Sequence, residues 1–198
     1  MAKTLIKTTG AISSGTGTVT FADGASSVVF DNTYKVYEFH FINVHPVTDN
    51  VTFGFQVNST NDPASGGGAY DTSPITSTYF RAKHDEAGSG SHQSVDYITD
   101  FDLGNVANTY QVLPNEVGAD DDPGQSTSGV LTLYDPSSTT YVKHFTARFN
   151  DAHPSDITMD CFIAGYINDY QYAIDEIDFK FSSGTIGGGT IKMNGKAK

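Results

Sequence analysis

Three groups of residues in this 198-residue chain have types that could do chemistry. Asp120, Asp121 and Asp122 stand together in the most acidic loop, Gly118 to Gly129. Carboxylate oxygens are the ligands calcium prefers, but three consecutive aspartates point in alternating directions, and the alternate-position spacing of an EF-hand is missing. The loop reads as a solvated turn, with these aspartates as its calcium candidates. The histidines form the second group. His84, with Asp85, Glu86 and His92, lies in a glycine-serine loop and would make a polar site if that loop folded back on itself. His40 and His144 fall in strands, His45 and His153 each precede a proline, and no pair has the helical spacing of a metal site. Tyrosine is the third group, in a chain without tryptophan. Tyr70 and Tyr79, with His84, Asp85 and His92, are the ligand or interface candidates. Tyr34, Tyr97 and Tyr110 are further rings on which a sugar could stack.

Nucleophilic chemistry has no foothold. There is no GxSxG elbow. Cys161 is the single cysteine, so no internal disulfide can form, and its run Met159 to Ile163 is apolar enough to raise a thiol pKa. No carboxylate pair stands out for glycoside hydrolysis. We expect no catalytic residue, no metal and no cofactor.

The elements that would position these residues are strands. Ile177, Phe179 and Phe181 alternate with Glu176, Asp178 and Lys180, the period of a half-buried antiparallel strand. The same period runs through Tyr34 to Val44, Val51 to Val57, Ile75 to Ala82, Val130 to Tyr134 and Tyr141 to Phe149, the last alternating Tyr141, Lys143, Phe145, Ala147 and Phe149. Val95 to Leu103 and Tyr110 to Leu113 are shorter candidates. Ile157 to Ile167 is more continuously apolar and predicts a central strand covered on both sides. His45 to Asn50 reads as a hairpin connection between its flanking runs. At the end of the chain, Ser182 to Gly184 and Gly187 to Gly189 read as turns, with Thr190 to Met193 as the closing strand of a hairpin. No amphipathic helix is visible. The predicted fold is all-β: an antiparallel jelly-roll or concanavalin-like sandwich. Residues 1–25 form an extended N-terminal arm or first short strand near Thr18 to Phe21, and residues 26–198 form a single β-sandwich domain.

The formal net charge is −12. Lys and Arg do not cluster, which argues against nucleic-acid binding and against anionic membranes. Nothing resembles a signal peptide, and no apolar run reaches the length of a membrane span, so synthesis in a cytoplasm is expected.

Several segments resemble one family. They are MAKTLIKT at the start, TYKVYEFHFINVHPVTDNVTF at Thr33 to Phe53, YFRAKHDEAGSGS at Tyr79 to Ser91, LYDPSSTTYVKHFTARFN at Leu133 to Asn150, CFIAGYIN, and the ending AIDEIDFKFSSGTIGGGTIKM. Together they span nearly the whole chain and resemble virion structural proteins of contractile-tailed marine cyanophages and related marine phages. Many relatives end in Leu-Tyr-Gly where this chain has Met193-Asn194-Gly195. The resemblance implies a virion location and a non-enzymatic role in capsid decoration or in a head or tail fibre. It also implies contacts with major capsid or tail proteins and a symmetric homo-oligomer such as a trimer. The alternative is a carbohydrate-binding, lectin-like attachment module for a host surface glycan, using the loops Asn58 to Ser73 and His84 to Gln93. A polysaccharide depolymerase on the same scaffold is the third reading.

Overall fold

The computed structural model describes residues 2–59, 61–62, 73–119 and 124–196. It holds thirteen strands and no helix among the described residues: β1 Lys3–Thr8, β2 Val19–Ala22, β3 Val36–Pro46, β4 Phe53–Asn58, β5 Ile75–Asp85, β6 Ser94–Tyr97, β7 Gly104–Val106, β8 Gln111–Val112, β9 Thr127–Tyr134, β10 Lys143–His153, β11 Ile157–Ile167, β12 Glu176–Phe181 and β13 Ile186–Lys196. They form two antiparallel sheets. The large one runs β1-β13-β3-β9-β10-β11-β5-β6, with β7 also on β5; the small one runs β2-β12-β4-β8.

The sequence alternation explains why the sheets face one another. On β10, Lys143, Phe145, Ala147, Phe149 and Asp151 are buried while His144, Thr146, Arg148 and Asn150 are exposed. On β3 of the large sheet, Phe39 and Phe41 turn inward and meet Phe179 of the small sheet at 5.4 and 5.0 Å between ring centroids. Phe41 and Phe53 pair across the layers at 5.8 Å, and Phe55 and Phe145 at 5.2 Å. One hydrophobic cluster, dominated by phenylalanine, fills the space between the sheets. Each such ring contributes roughly 1.5–3 kcal/mol of burial.

Several expectations from the sequence are corrected. The last two strands are not a hairpin: β12 pairs with β2 and β4 in the small sheet, whereas β13 pairs with β1 and β3 in the large one. Ser182 to Thr185 therefore crosses between sheets. His45 to Asn50 likewise carries the chain from β3 to β4 in the other sheet. Gly187 to Gly189 is no turn but lies within β13, where register shifts at Gly188 mark bulges. β11 is not covered on both sides, since its residues alternate between the core and an outer face that stays open. The N-terminal segment does not project as an arm. β1 pairs with β13, Thr9, Ile12 and Gly15 donate backbone bonds to Ile191, Gly189 and Ile186, and β2 then joins the small sheet. Tyr70, Asp120, Asp121 and Asp122 lie outside the described residues.

Candidate interaction surface

The outer face of the large sheet carries the exposed Phe80 and Tyr97 and the partly exposed Phe162 in register. His40 on β3 stands opposite Val130 on β9, and Val130 opposite Arg148 on β10. Arg148 faces Phe162 on β11, Phe162 faces Phe80 on β5, and Phe80 faces Tyr97 on β6. Directly opposed residues of antiparallel strands share a face, so these six form one row across six strands. The Phe80 and Phe162 rings are stacked, 4.9 Å apart and 4° from parallel. That spacing is close to the separation of neighbouring strands, so the rings stand upright and present their edges outward. The guanidinium of Arg148 covers the other face of Phe162, 4.9 Å from its centroid. Its Nε and Nη2 donate to Asp160 Oδ1 and Oδ2 at 3.0 and 2.7 Å. This forked pair leaves the row close to neutral.

A second row runs Glu38, Thr132, Thr146, Ala164 and Thr78. Between the two lies a shallow groove of about 410 Å³, lined by Phe80, Val130, Thr132, Thr146, Phe162 and Ala164 among others. It continues past Thr78, Thr146 and Ala164 towards His144 and Tyr166. Phe80, Val95 and Tyr97 are all exposed.

The residues singled out from sequence take different places. Tyr79 is corrected as a ligand or interface candidate. It occupies an inward position on β5, is fully buried, and donates its hydroxyl to Asn115 Oδ1 at 2.9 Å. Asp85 ends β5 and accepts bonds from the Ser89 amide and hydroxyl at 2.9 and 2.6 Å, so it shapes its own turn. Those bonds, the Ser89 hydroxyl first, hold its pKa below the usual carboxylate value. Asp85 and His92 line one hollow, together with Glu86, Ser89 and Asp156. His84 stands apart on β5, opposite Thr158, with Gln93 Nε2 3.0 Å from its Nε2. Among the described residues no three His, Cys, Asp or Glu side chains are grouped to hold a metal ion.

A polar cluster that sequence reasoning missed sits inside, at the β5, β10 and β11 end of the core. The Cys161 thiol is 3.8 Å from both Asn115 Oδ1 and Asp151 Oδ1. Burial, then the Asp151 carboxyl, pushes that thiol up to about 12. Burial also raises the Asp151 carboxyl well above its usual range. Glu116 closes the cluster, accepting from Arg81 Nη1 at 2.9 Å and Asn115 Nδ2 at 2.7 Å. Burial raises the Tyr79 hydroxyl as well, and a buried thiol and phenol shifted upward suit a structural network and not nucleophilic attack.

Phe80, Phe162 and Arg148 were also missed as surface residues. Their signal was present: an apolar run such as Ile157 to Ile167 has two apolar faces, and only one of them belongs to the core.

No family model, no curated protein and no solved structure matches the chain.

Proposed function

We propose that this chain is a non-enzymatic structural protein of a phage virion, folded as a jelly-roll-like β-sandwich. It decorates the capsid or forms part of a head or tail fibre, associating with further copies of itself and with neighbouring virion proteins through the outer face of the large sheet. One observation carries this reading. On a chain of net charge −12, the Phe80–Phe162 part of the row is apolar and Arg148 beside it is neutralised by Asp160. Like-charged molecules repel, so a neutral apolar face is where two copies can meet at least cost. An exposed patch of this kind on a soluble domain marks a contact surface. The burial of the Cys161 thiol and the resemblance of the sequence to phage structural proteins support the same reading.

Purified virions of the phage that encodes the chain provide the test. The 21.2 kDa polypeptide is expected in stoichiometric amounts by quantitative proteomics. Its absence from particles, with abundance in the infected-cell lysate, overturns the proposal.

A further inference from the structure

The outer face ends in a hollow of different composition. Tyr134 closes β9, Tyr141 lies on the loop before β10, and Tyr170 lies on the loop after β11; their exposures are 38%, 72% and 48%. With Asp135, Thr140 and His144 they line a surface hollow of about 600 Å³. That is within the range of roughly 300–1,000 Å³ usual for small-molecule sites.

The backbone holding these rings is pinned. Ser138 Oγ accepts bonds from the amides of Thr140 and Tyr141 at 3.2 and 3.0 Å. The Ser138 amide donates to the Asp135 carbonyl at 3.0 Å, closing the turn. The Ile174 amide reaches the Pro136 carbonyl at 2.9 Å, joining the two loops. Below them Lys143, fully buried, donates its ammonium to the carbonyls of Asp169 and Tyr172, on either side of Tyr170. A buried lysine is costly unless its donors are satisfied, so these two bonds tie the loop after β11 to β10. Tyr141 and Tyr170 are therefore presented on ordered loops, and a ligand would pay little to organise them.

Charge narrows the occupant. Asp135 is paired with Lys35 Nζ at 2.6 Å, and the molecule as a whole is strongly acidic. An anionic ligand is repelled, and the lining offers no unpaired carboxylate to attract a cation. Aromatic faces with hydroxyl tips, a threonine hydroxyl and an imidazole suit a ring that is apolar on its faces and bears hydroxyls at its edge. We propose that this hollow is a binding site for a neutral glycan. The site lies at the opposite end of the large sheet from the His84 to Gln93 loop, and it goes beyond the assembly reading.

Saturation-transfer NMR on the purified full chain tests it, with lactose, maltotriose, cellotriose and mannotriose as probes at millimolar concentration. Transfer to at least one probe is expected. Tyr141→Ala and Tyr170→Ala should each weaken binding by about tenfold, corresponding to loss of one aromatic stacking contact. Tyr141→Phe, which keeps the ring, should retain most of the binding. Both tyrosines are exposed, so far-UV circular dichroism should be unchanged. Phe162→Ser, aimed at the assembly row, should leave sugar binding intact, so the two proposals fail separately. Absence of transfer to all four probes overturns the site, as does transfer that survives both alanine variants. Protection of Tyr141 and Tyr170 from iodination in the assembled protein places a protein there and also overturns it.

Discussion

Glu38, on the outer face of β3, is surrounded by nitrogen donors: Lys3 Nζ and Lys196 Nζ each lie 2.5 Å from its carboxylate, and His40 Nε2 lies 3.1 Å away. Burial alone would raise its pKa, but hydrogen bonds from Lys196, Lys3 and His40 more than offset this and lower it from 4.5 to about 2. A folded-state pKa below the unfolded value stabilises at pH above the unfolded pKa, and that stability is lost as the pH falls through the folded one. The window is thus pH 4.5 down to about 2, with a contribution of at most about 3 kcal/mol. Thermal melts across this window should show Glu38→Gln less stable than wild type at pH 7, with the two converging near pH 2. A constant difference across the window would refute the assignment. Some of this residue-level chemistry is legible in the sequence. The apolar setting of Cys161 forecasts its raised pKa. The alternation through β10 even places Lys143 inward, but its partners lie 26 and 29 residues further on, so no local pattern reveals them. Glu38 reads from sequence as an ordinary surface acid, because Lys3 and Lys196 come from the two ends of the chain.

Elements follow the same division. Strand existence is written in the period-two alternation, and most runs expected as strands are strands. Strand pairing is not, since Ile177, Phe179 and Phe181 alternate identically whether β12 pairs with β13 or with β4. The four residues Ser182 to Thr185 suit a hairpin equally well, and only the distant partners decide. The glycines of β13 show why the turn reading failed. A Cβ on Gly187 or Gly188 would sit 2.8 or 2.6 Å from the His45 ring, so these positions are glycine to admit that ring against the strand. Gly189 has φ +108° and would place a Cβ 2.6 Å from Val44 Cα. That backbone is available almost solely to glycine. Gly189→Ala should cost about 1–3 kcal/mol from strain and overpacking, lowering the melting temperature by several degrees. Gly88→Ala, also at positive φ but with no atom within 4 Å, separates the two causes. Equal losses would show that the contact with Val44 contributes nothing.

At the scale of the molecule, two antiparallel sheets enclose a phenylalanine-rich core, and among the described residues one broad face of the larger sheet is uncovered. Composition and alternation foretold an all-β chain, and the described residues hold no helix. The open face was only half legible, because Phe162 and Ala164 in an apolar run announce a second apolar side without saying whether anything covers it. One edge of the large sheet is β1, where Lys3 and Lys7 flank Leu5, and the other is formed by β6 and β7; lysines at an edge such as β1 discourage strand-to-strand addition. Association is therefore expected through the face and not through the β1 edge. Sedimentation velocity of the purified chain tests this most directly, comparing wild type with Phe162→Glu, whose side chain points outward, so that circular dichroism should be unchanged. A defined oligomer for wild type and a 21.2 kDa monomer for the variant are the predicted results. A wild-type monomer at every concentration, or an oligomer indifferent to Phe162→Glu, would contradict the account.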